Sequence, residues 1–496
     1  MPTAYATLVA SFTKLYRYQH LAQIVAWDQA AMMPSKGNEA RSAAMAELAV
    51  LMHDTLTAPA LAAALEAAPT EATDPVEVAS VREMARQWRA ATLIPAALVE
   101  AKSLAGTRCE HAWRTQRQAN DWAGFLVNWR PLVACVRQEA TLLAEATGLS
   151  RYDALVDRFE PGMTSAVIEP MFADLKRWLP PLIQEVIAKQ RTEVVLLPVG
   201  PFPIAAQRAL GLEIMTLLGF DFEAGRLDVS THPFCGGVAE DVRITTRYRE
   251  DDFVQALMGI VHETGHARYE QRLPRAWVHL PLGAARSMGI HESQSLTFEM
   301  QLGRSRPFLE LVAPLVCAHL GDQPAFAVDN LARIYTRVHP GLIRTEADEL
   351  TYPMHVILRF EIERALIEGE IEPEDVPALW DAKMLAYLGA DTRGDVADGC
   401  LQDIHWTDGA FGYFPSYTLG AMYAAQYVAT LRTQVPDLDA RIAAGDLAPM
   451  FTWLEDHIWS QASRWTTPEL IARATGAPLS ASHFERHLRA RYLGQP

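Results

Sequence analysis

The chain has 496 residues, of which 50% are hydrophobic and 21% charged, the balance of a globular protein with a large core. Its 44 Lys+Arg against 60 Asp+Glu leave a formal net charge of -16. Nucleic acid and anionic membrane surfaces select basic proteins, so neither is expected as the main partner.

Residues 1 to 220 read as helices joined by short loops. The opening run lacks a basic segment followed by an apolar one, and Lys14 interrupts its apolar pattern; it is expected to be an amphipathic helix rather than a signal peptide. Leu21, Ile24, Val25 and Trp27 keep helical spacing until Pro34 and Gly37 break it. Residues 38–56 place Ala44, Leu48, Leu51 and Met52 on one stripe, and Asp74 before Pro75 is a cap for the next helix. Further helices are expected in 93–106, 121–148 and 171–191, followed by a Pro-rich loop at 196–207. The texture changes after residue 220. Residues 227–237 and 241–248 are β-branched and alternating, and read as two short strands separated by Gly236-Gly237. From Asp251 helices resume nearly to the end. No fixed-period repeat and no clean linker cut the chain. No window approaches the roughly 18 apolar residues that span a bilayer. The five scattered cysteines, without C-x-x-C, argue against a disulfide scaffold or a cysteine metal cluster. A reducing, cytoplasmic location is the expectation.

The sharpest signal lies in residues 251–274, a helix that Asp251 can cap and Pro274 can end. His262, Glu263 and His266 form H-E-x-x-H. The i, i+4 spacing puts both imidazoles on one face, one turn apart, where a single Zn²⁺ can be gripped by both. Glu263 projects beside them and can take a proton from water at the metal. The bland alternative is a surface helix with two solvated histidines, but Leu257, Met258, Ile260 and Val261 embed this stripe in apolar residues. A catalytic zinc wants a third protein ligand and one open position. Glu292, 26 residues after His266, and His291 both qualify; coordination precedent favours Glu292, with His291 the competing ligand.

Several short motifs in register then carry a resemblance. They are His232–Phe234 (HPF), Asp241–Thr245 (DVRIT), HETGH itself, His291–Gln294 (HESQ), Ile343–Asp348 (IRTEAD) and Gly399–Trp406 (GCLQDIHW), followed by FGYFPSYTLG. Trp27–Pro34 and the FEPGMT around Glu160 belong with them. Together they resemble the thermostable carboxypeptidase 1 (Taq carboxypeptidase type) zinc metallocarboxypeptidases from about residue 20 to the C-terminus. The resemblance implies a mainly α fold: a single large helical domain, 1–496, with a deep substrate groove and a small β-sheet near the metal site, akin to neurolysin and angiotensin-converting enzyme. Within it, 1–220 would form the groove wall and cap, and 221–496 the catalytic part. It implies homodimers that release single residues from peptide C-termini with one Zn²⁺ per chain, for which Co²⁺ can substitute. By motif, the ligands are His262, His266 and Glu292, and Glu263 is the general base and acid.

The remaining roles are candidates. Tyr413, Tyr417 and His405 can donate to the developing oxyanion, although a tyrosine in an aromatic run is often simple packing. Arg344 and Arg243 can pair with a substrate carboxylate. Arg344 can instead form a solvated i, i+4 pair with Asp348 on a helix, and Arg243 can tie its strand to Asp241 or Glu250. Gln402, Asp403 and His405 form a polar corner in which Asp403 can orient His405. Asp348 is a possible partner for a zinc histidine, and His232 is expected to be structural. Oligoendopeptidases and dipeptidyl carboxypeptidases share the same chemistry, and a non-catalytic zinc-holding protein is a further alternative.

Overall fold

The computed structural model describes residues 3–495. Helices start where the sequence offers caps. The first four are α1 (Ala4–Ala31), α2 (Asn38–Leu56), α3 (Pro59–Glu71) and α4 (Pro75–Thr92). The Asp74 carboxylate accepts from Val76 N and Pro75 takes the first turn of α4, as its sequence requires. Then come α5 (Ala96–Gln118), α6 (Trp122–Thr147), α7 (Arg151–Val156), α8 (Ser165–Gln190) and α9 (Ile204–Leu217). The stripe expected on α2 is not a core face: Ala44 and Leu51 are exposed and α2 buries no residue.

The sheet has three strands rather than two. These are β1 (Gly225–Val229), β2 (Cys235–Val238) and β3 (Asp241–Thr246), in the order β1-β3-β2. β1 runs parallel to β3 and β2 antiparallel to it. Gly236 and Gly237 do not separate strands; they lie within β2, opposite Arg243 and Val242. Val242 and Ile244 are buried with Leu227 against Ile260 and Ala267 of the next helix, as the alternation in β3 dictates.

That helix is α10 (Val254–Gln271), followed by α11 (Met288–Leu296), which runs on as a π-helical stretch, Thr297–Gly303. The chain continues with α12 (Arg306–Leu320), α13 (Val328–Tyr335), α14 (Tyr352–Glu368), α15 (Val376–Leu388), α16 (Pro415–Gln434), α17 (Leu438–Ala443), α18 (Ala448–His457), α19 (Thr467–Thr475) and α20 (Ala481–Leu493). One apolar core joins α6, α8, α10, α11, α12, α14, α16 and α20. A smaller cluster holds α1, α3 and α4 together through Phe12, Leu65 and Met84. No single helix among the described residues is long and apolar enough to cross a membrane, although α2 and α3, bent by 42°, meet that test as a pair.

Candidate active site

α10 carries the imidazoles. Its first turn is capped by Asp252, whose Oδ1 accepts from Val254 N at 2.8 Å. Asp251, expected in that role, is instead held by Arg249 through two hydrogen bonds. The helix ends at Gln271, three residues before Pro274. α11 crosses α10 where Gly265 has no side chain: a Cβ there would lie 2.6 Å from the Gln294 carbonyl oxygen. This close approach brings Glu292 to the two histidines.

Glu292 Oε2 lies 3.3 Å from His266 Nε2 and 3.8 Å from His262 Nε2. Metal bonds of about 2.0–2.2 Å in tetrahedral array separate ligand atoms by about 3.4 Å, so this donor set fits one zinc ion. His291 is not the third member of the cluster. Its Nδ1 faces His266 Nδ1 at 2.6 Å, and its Nε2 faces Glu270 Oε1 at 2.8 Å. His262 is held in the same manner, its Nδ1 2.9 Å from Glu299 Oε2. Arg304 Nη2 donates to the other oxygen of Glu299 at 2.5 Å. Both imidazoles thus have the far nitrogen engaged and the near nitrogen free for a metal, the pattern of oriented histidine ligands. Asp348 plays no part here: its carboxylate caps the turn at Leu350 and Thr351 and accepts from His339 N.

The electrostatics follow from burial and charge. Burial works to lower the His262 pKa, but Glu292 and Glu299 outweigh it and lift it to about 10. His266 goes down to about 4, chiefly through burial. Burial tends to raise Glu299, yet Arg304 and His262 hold it at about 2. Glu263 is pushed up to about 7 by burial, with Glu292 adding to the shift against the pull of His262. A carboxyl poised there accepts a proton and returns it at neutral pH.

A second group of side chains gathers at the start of α16. The rings of Tyr413 and Tyr417 are 5.3 Å apart, and Tyr417 Oη lies 3.4 Å from His405 Nε2. Burial raises Tyr413 to about 12 and pushes Tyr417 up as well; α16 packs against the metal cluster at Gly420, where a Cβ would lie 2.8 Å from Glu292 Cγ. Burial holds His405 at about 4, so its ring is neutral at pH 7.

Arg344 is 5% exposed and is not on a regular α-helix. The alternative pair with Asp348 does not form: Arg344 pairs with Asp403, and Asp348 caps the turn at Leu350 and Thr351. Arg344 Nε donates to Asp403 Oδ1 at 2.9 Å, and its Nη1 to Tyr352 Oη at 2.6 Å. Its guanidinium sits over Tyr417 and Phe414, 5.0 and 5.3 Å from the ring centroids. Asp403 does not orient His405; its other oxygen takes Arg359 Nε at 2.6 Å. Gln402 accepts from Arg344 N at 2.7 Å, which completes the corner. Arg243 stands apart on the sheet, clamped to Asp241 and stacked 4.4 Å from the centre of the Trp27 ring. His232 is exposed on the loop before β2.

A cavity of about 300 Å³ opens between α1 and the edge strand β2, lined by Tyr16, Gln19, Gln87, Cys235, Glu270 and His291. Glu270 and His291 connect it to the imidazole cluster.

Five residues of this arrangement escaped the sequence reading: Glu270, Glu299, Arg304, Tyr352 and Arg359. Two had a signal. Glu270 continues the His262/His266 stripe by one more turn, and Glu299 lies seven residues beyond Glu292 on the same helical run. Nothing local marks Arg359.

The family model for carboxypeptidase Taq (M32) metallopeptidases matches residues 7–492. Thermostable carboxypeptidase 1 of Thermus thermophilus is 39% identical over 487 residues, 95% of each chain. Carboxypeptidase 1 of Bacillus subtilis is 34% identical over 491 residues, 97% of each. Among solved structures, metallocarboxypeptidase 1 of Trypanosoma cruzi superposes with a TM-score of 0.97 at 48% identity, covering 99% of both chains. The Pyrococcus furiosus carboxypeptidase gives 0.95 at 31%, again over 99% of both.

Proposed function

This chain belongs to the carboxypeptidase Taq (M32) metallopeptidase family and is a metallocarboxypeptidase; on that premise we propose how its own residues do the work. His262, His266 and Glu292 hold one Zn²⁺, for which Co²⁺ can substitute. The observation that carries the assignment is the convergence of three donor atoms within 4.8 Å, with both outer histidine nitrogens already engaged. Bound there, zinc supplies a Lewis acid that polarises a carbonyl and acidifies water.

Glu263 takes the proton of the attacking water and passes it to the leaving amine. Burial raises its pKa above the ordinary carboxyl value in the metal-free site, the direction that proton acceptance and return require. Tyr413 and Tyr417, protonated throughout the working range, donate to the oxyanion as it forms. His405, neutral and 3.4 Å from Tyr417 Oη, steadies that hydroxyl. Arg344 receives the terminal carboxylate of the peptide, with Asp403 fixing the plane of its guanidinium. Arg243, clamped to Asp241 and stacked on Trp27, is the alternative carboxylate partner. The cavity between α1 and β2 takes residues upstream of the cleaved bond. The division into a cap, 1–220, and a catalytic part, 221–496, belongs to the same proposal. So do a homodimer, checked by light scattering, and a cytoplasmic location, which the unpaired cysteines suit.

The test is product analysis by mass spectrometry on a free and a C-terminally amidated peptide, with and without chelator. Single residues should leave the free peptide only, and only with metal. Internal cleavage of the amidated peptide would overturn the exopeptidase reading in favour of an endopeptidase.

A further inference from the structure

The first three N–H groups of α11 each meet a different partner. Met288 N donates to the Phe159 carbonyl at 3.0 Å, Gly289 N to Glu160 Oε1, and Ile290 N to Ser287 Oγ at 3.1 Å. Only Ser287 is local. Phe159 and Glu160 come from the turn after α7, 129 residues away for the Glu160 contact. Glu160 is 0% exposed, and its Oε2 has no hydrogen-bond partner. Burying such a group is costly, and shape-filling alone does not require a carboxyl. At the start of a helix, however, an acceptor oxygen satisfies an orphan N–H and meets the positive end of the helix dipole. The fit is close: a Cβ on Gly289 would lie 2.7 Å from Glu160 Oε1. In the same turn, the Phe159 ring stands edge-on to Tyr413 at 5.0 Å.

Glu292 lies three residues beyond Gly289. Side-chain ends lie about 5–6 Å from a helix axis, so rotating this turn by about 10° moves the carboxylate by about 1 Å. That is roughly half a metal–oxygen bond.

We propose that Glu160 is a positioning residue for the metal centre: it caps α11 from across the fold and so sets the rotation at which Glu292 meets His262 and His266. The proposal rests on Glu292 being a ligand. The experiment measures metal affinity by chelator competition, together with kcat, KM and the melting temperature of the metal-free protein. Glu160→Ala should bind zinc at least about 10-fold more weakly and lose kcat, with KM within about twofold. Glu160→Gln keeps an acceptor oxygen for Gly289 N and should stay within about threefold of the parent in both. Gly289→Ala should reproduce the weaker zinc binding with the carboxyl still present, and it carries the test if Glu160→Ala does not fold. Zinc affinity unchanged in Glu160→Ala or in Gly289→Ala overturns the proposal, as does a Glu160→Gln protein that falls as far as Glu160→Ala. Glu292→Gln in the same competition separates the two assumptions: if it binds zinc like the parent, the ligand assignment fails rather than the cap.

Discussion

Replacing Glu299 with Ala removes the carboxylate that holds His262 Nδ1 at 2.9 Å and Arg304 Nη2 at 2.5 Å. Two effects follow, and they separate. The imidazole of His262 is freed to rotate and loses a basic partner. Outer partners of this kind are worth about 10- to 100-fold in metal affinity, or roughly 1.4–2.7 kcal/mol. Independently, Arg304 is left largely buried without its anion, at a cost of about 3–5 kcal/mol in folding stability. The double variant Glu299→Gln with Arg304→Gln removes the stranded charge, so it should recover much of the stability while metal affinity stays reduced. Chelator competition reports the first quantity and thermal unfolding of the metal-free protein the second. If Glu299→Ala unfolds earlier but binds zinc like the parent, the carboxylate does not orient His262 and the outer-partner argument is wrong.

Glu263→Gln should retain zinc and lose turnover by about 10²- to 10⁴-fold, measured as kcat beside metal content; normal turnover would remove Glu263 from the chemistry. Arg344→Met forfeits a charge-assisted pair worth about 1.5–3 kcal/mol, so kcat/KM on free peptides should fall roughly 10- to 150-fold. Unchanged kinetics in that variant would place the carboxylate elsewhere. Glu83 is buried against Arg286 at 3.0 Å, and although burial tends to raise its pKa, Arg286 and Arg86 hold it below the ordinary 4.5. A depressed carboxyl adds stability above its ordinary value and loses it as pH falls through the depressed one. Glu83→Gln should therefore melt earlier than the parent at pH 7, and the two melting curves should converge below pH 4.5; a gap that persists in acid contradicts this.

What the sequence made legible is what one helix can encode by itself. The i, i+4 spacing placed His262 and His266 on one face of α10, and Asp74-Pro75 marked the start of α4 because a cap is a local event. Glu292 was readable as a candidate, but choosing it over His291 depends on how α11 crosses α10 at Gly265, which is not local. The partners of the two histidines escaped for the same reason: Glu299 reaches His262 from 37 residues away. The spacing of Arg344 and Asp348 permits a helical pair, yet their segment is a short 3-10 turn and α14 starts only at Tyr352. The true partner of Arg344, Asp403, lies 59 residues downstream. Adjacent glycines ordinarily signal a turn, while Gly236 and Gly237 pair with β3 as a strand edge.

The enclosure of Arg344 has a consequence for how fast peptides arrive. With 5% exposure, three aromatic rings over its guanidinium and Asp403 against it, this cation projects little field into solvent. What an approaching molecule senses at a distance is the net charge of -16. Attraction takes over only within about 8 Å, the screening length at physiological salt. Acidic peptides are therefore slowed before they are captured, and added salt should raise their kcat/KM while lowering that of basic peptides. A fall for acidic peptides on adding salt would mean that the cation steers from afar. Capture by this enzyme is set to favour cationic chains at long range, whichever residue is then released.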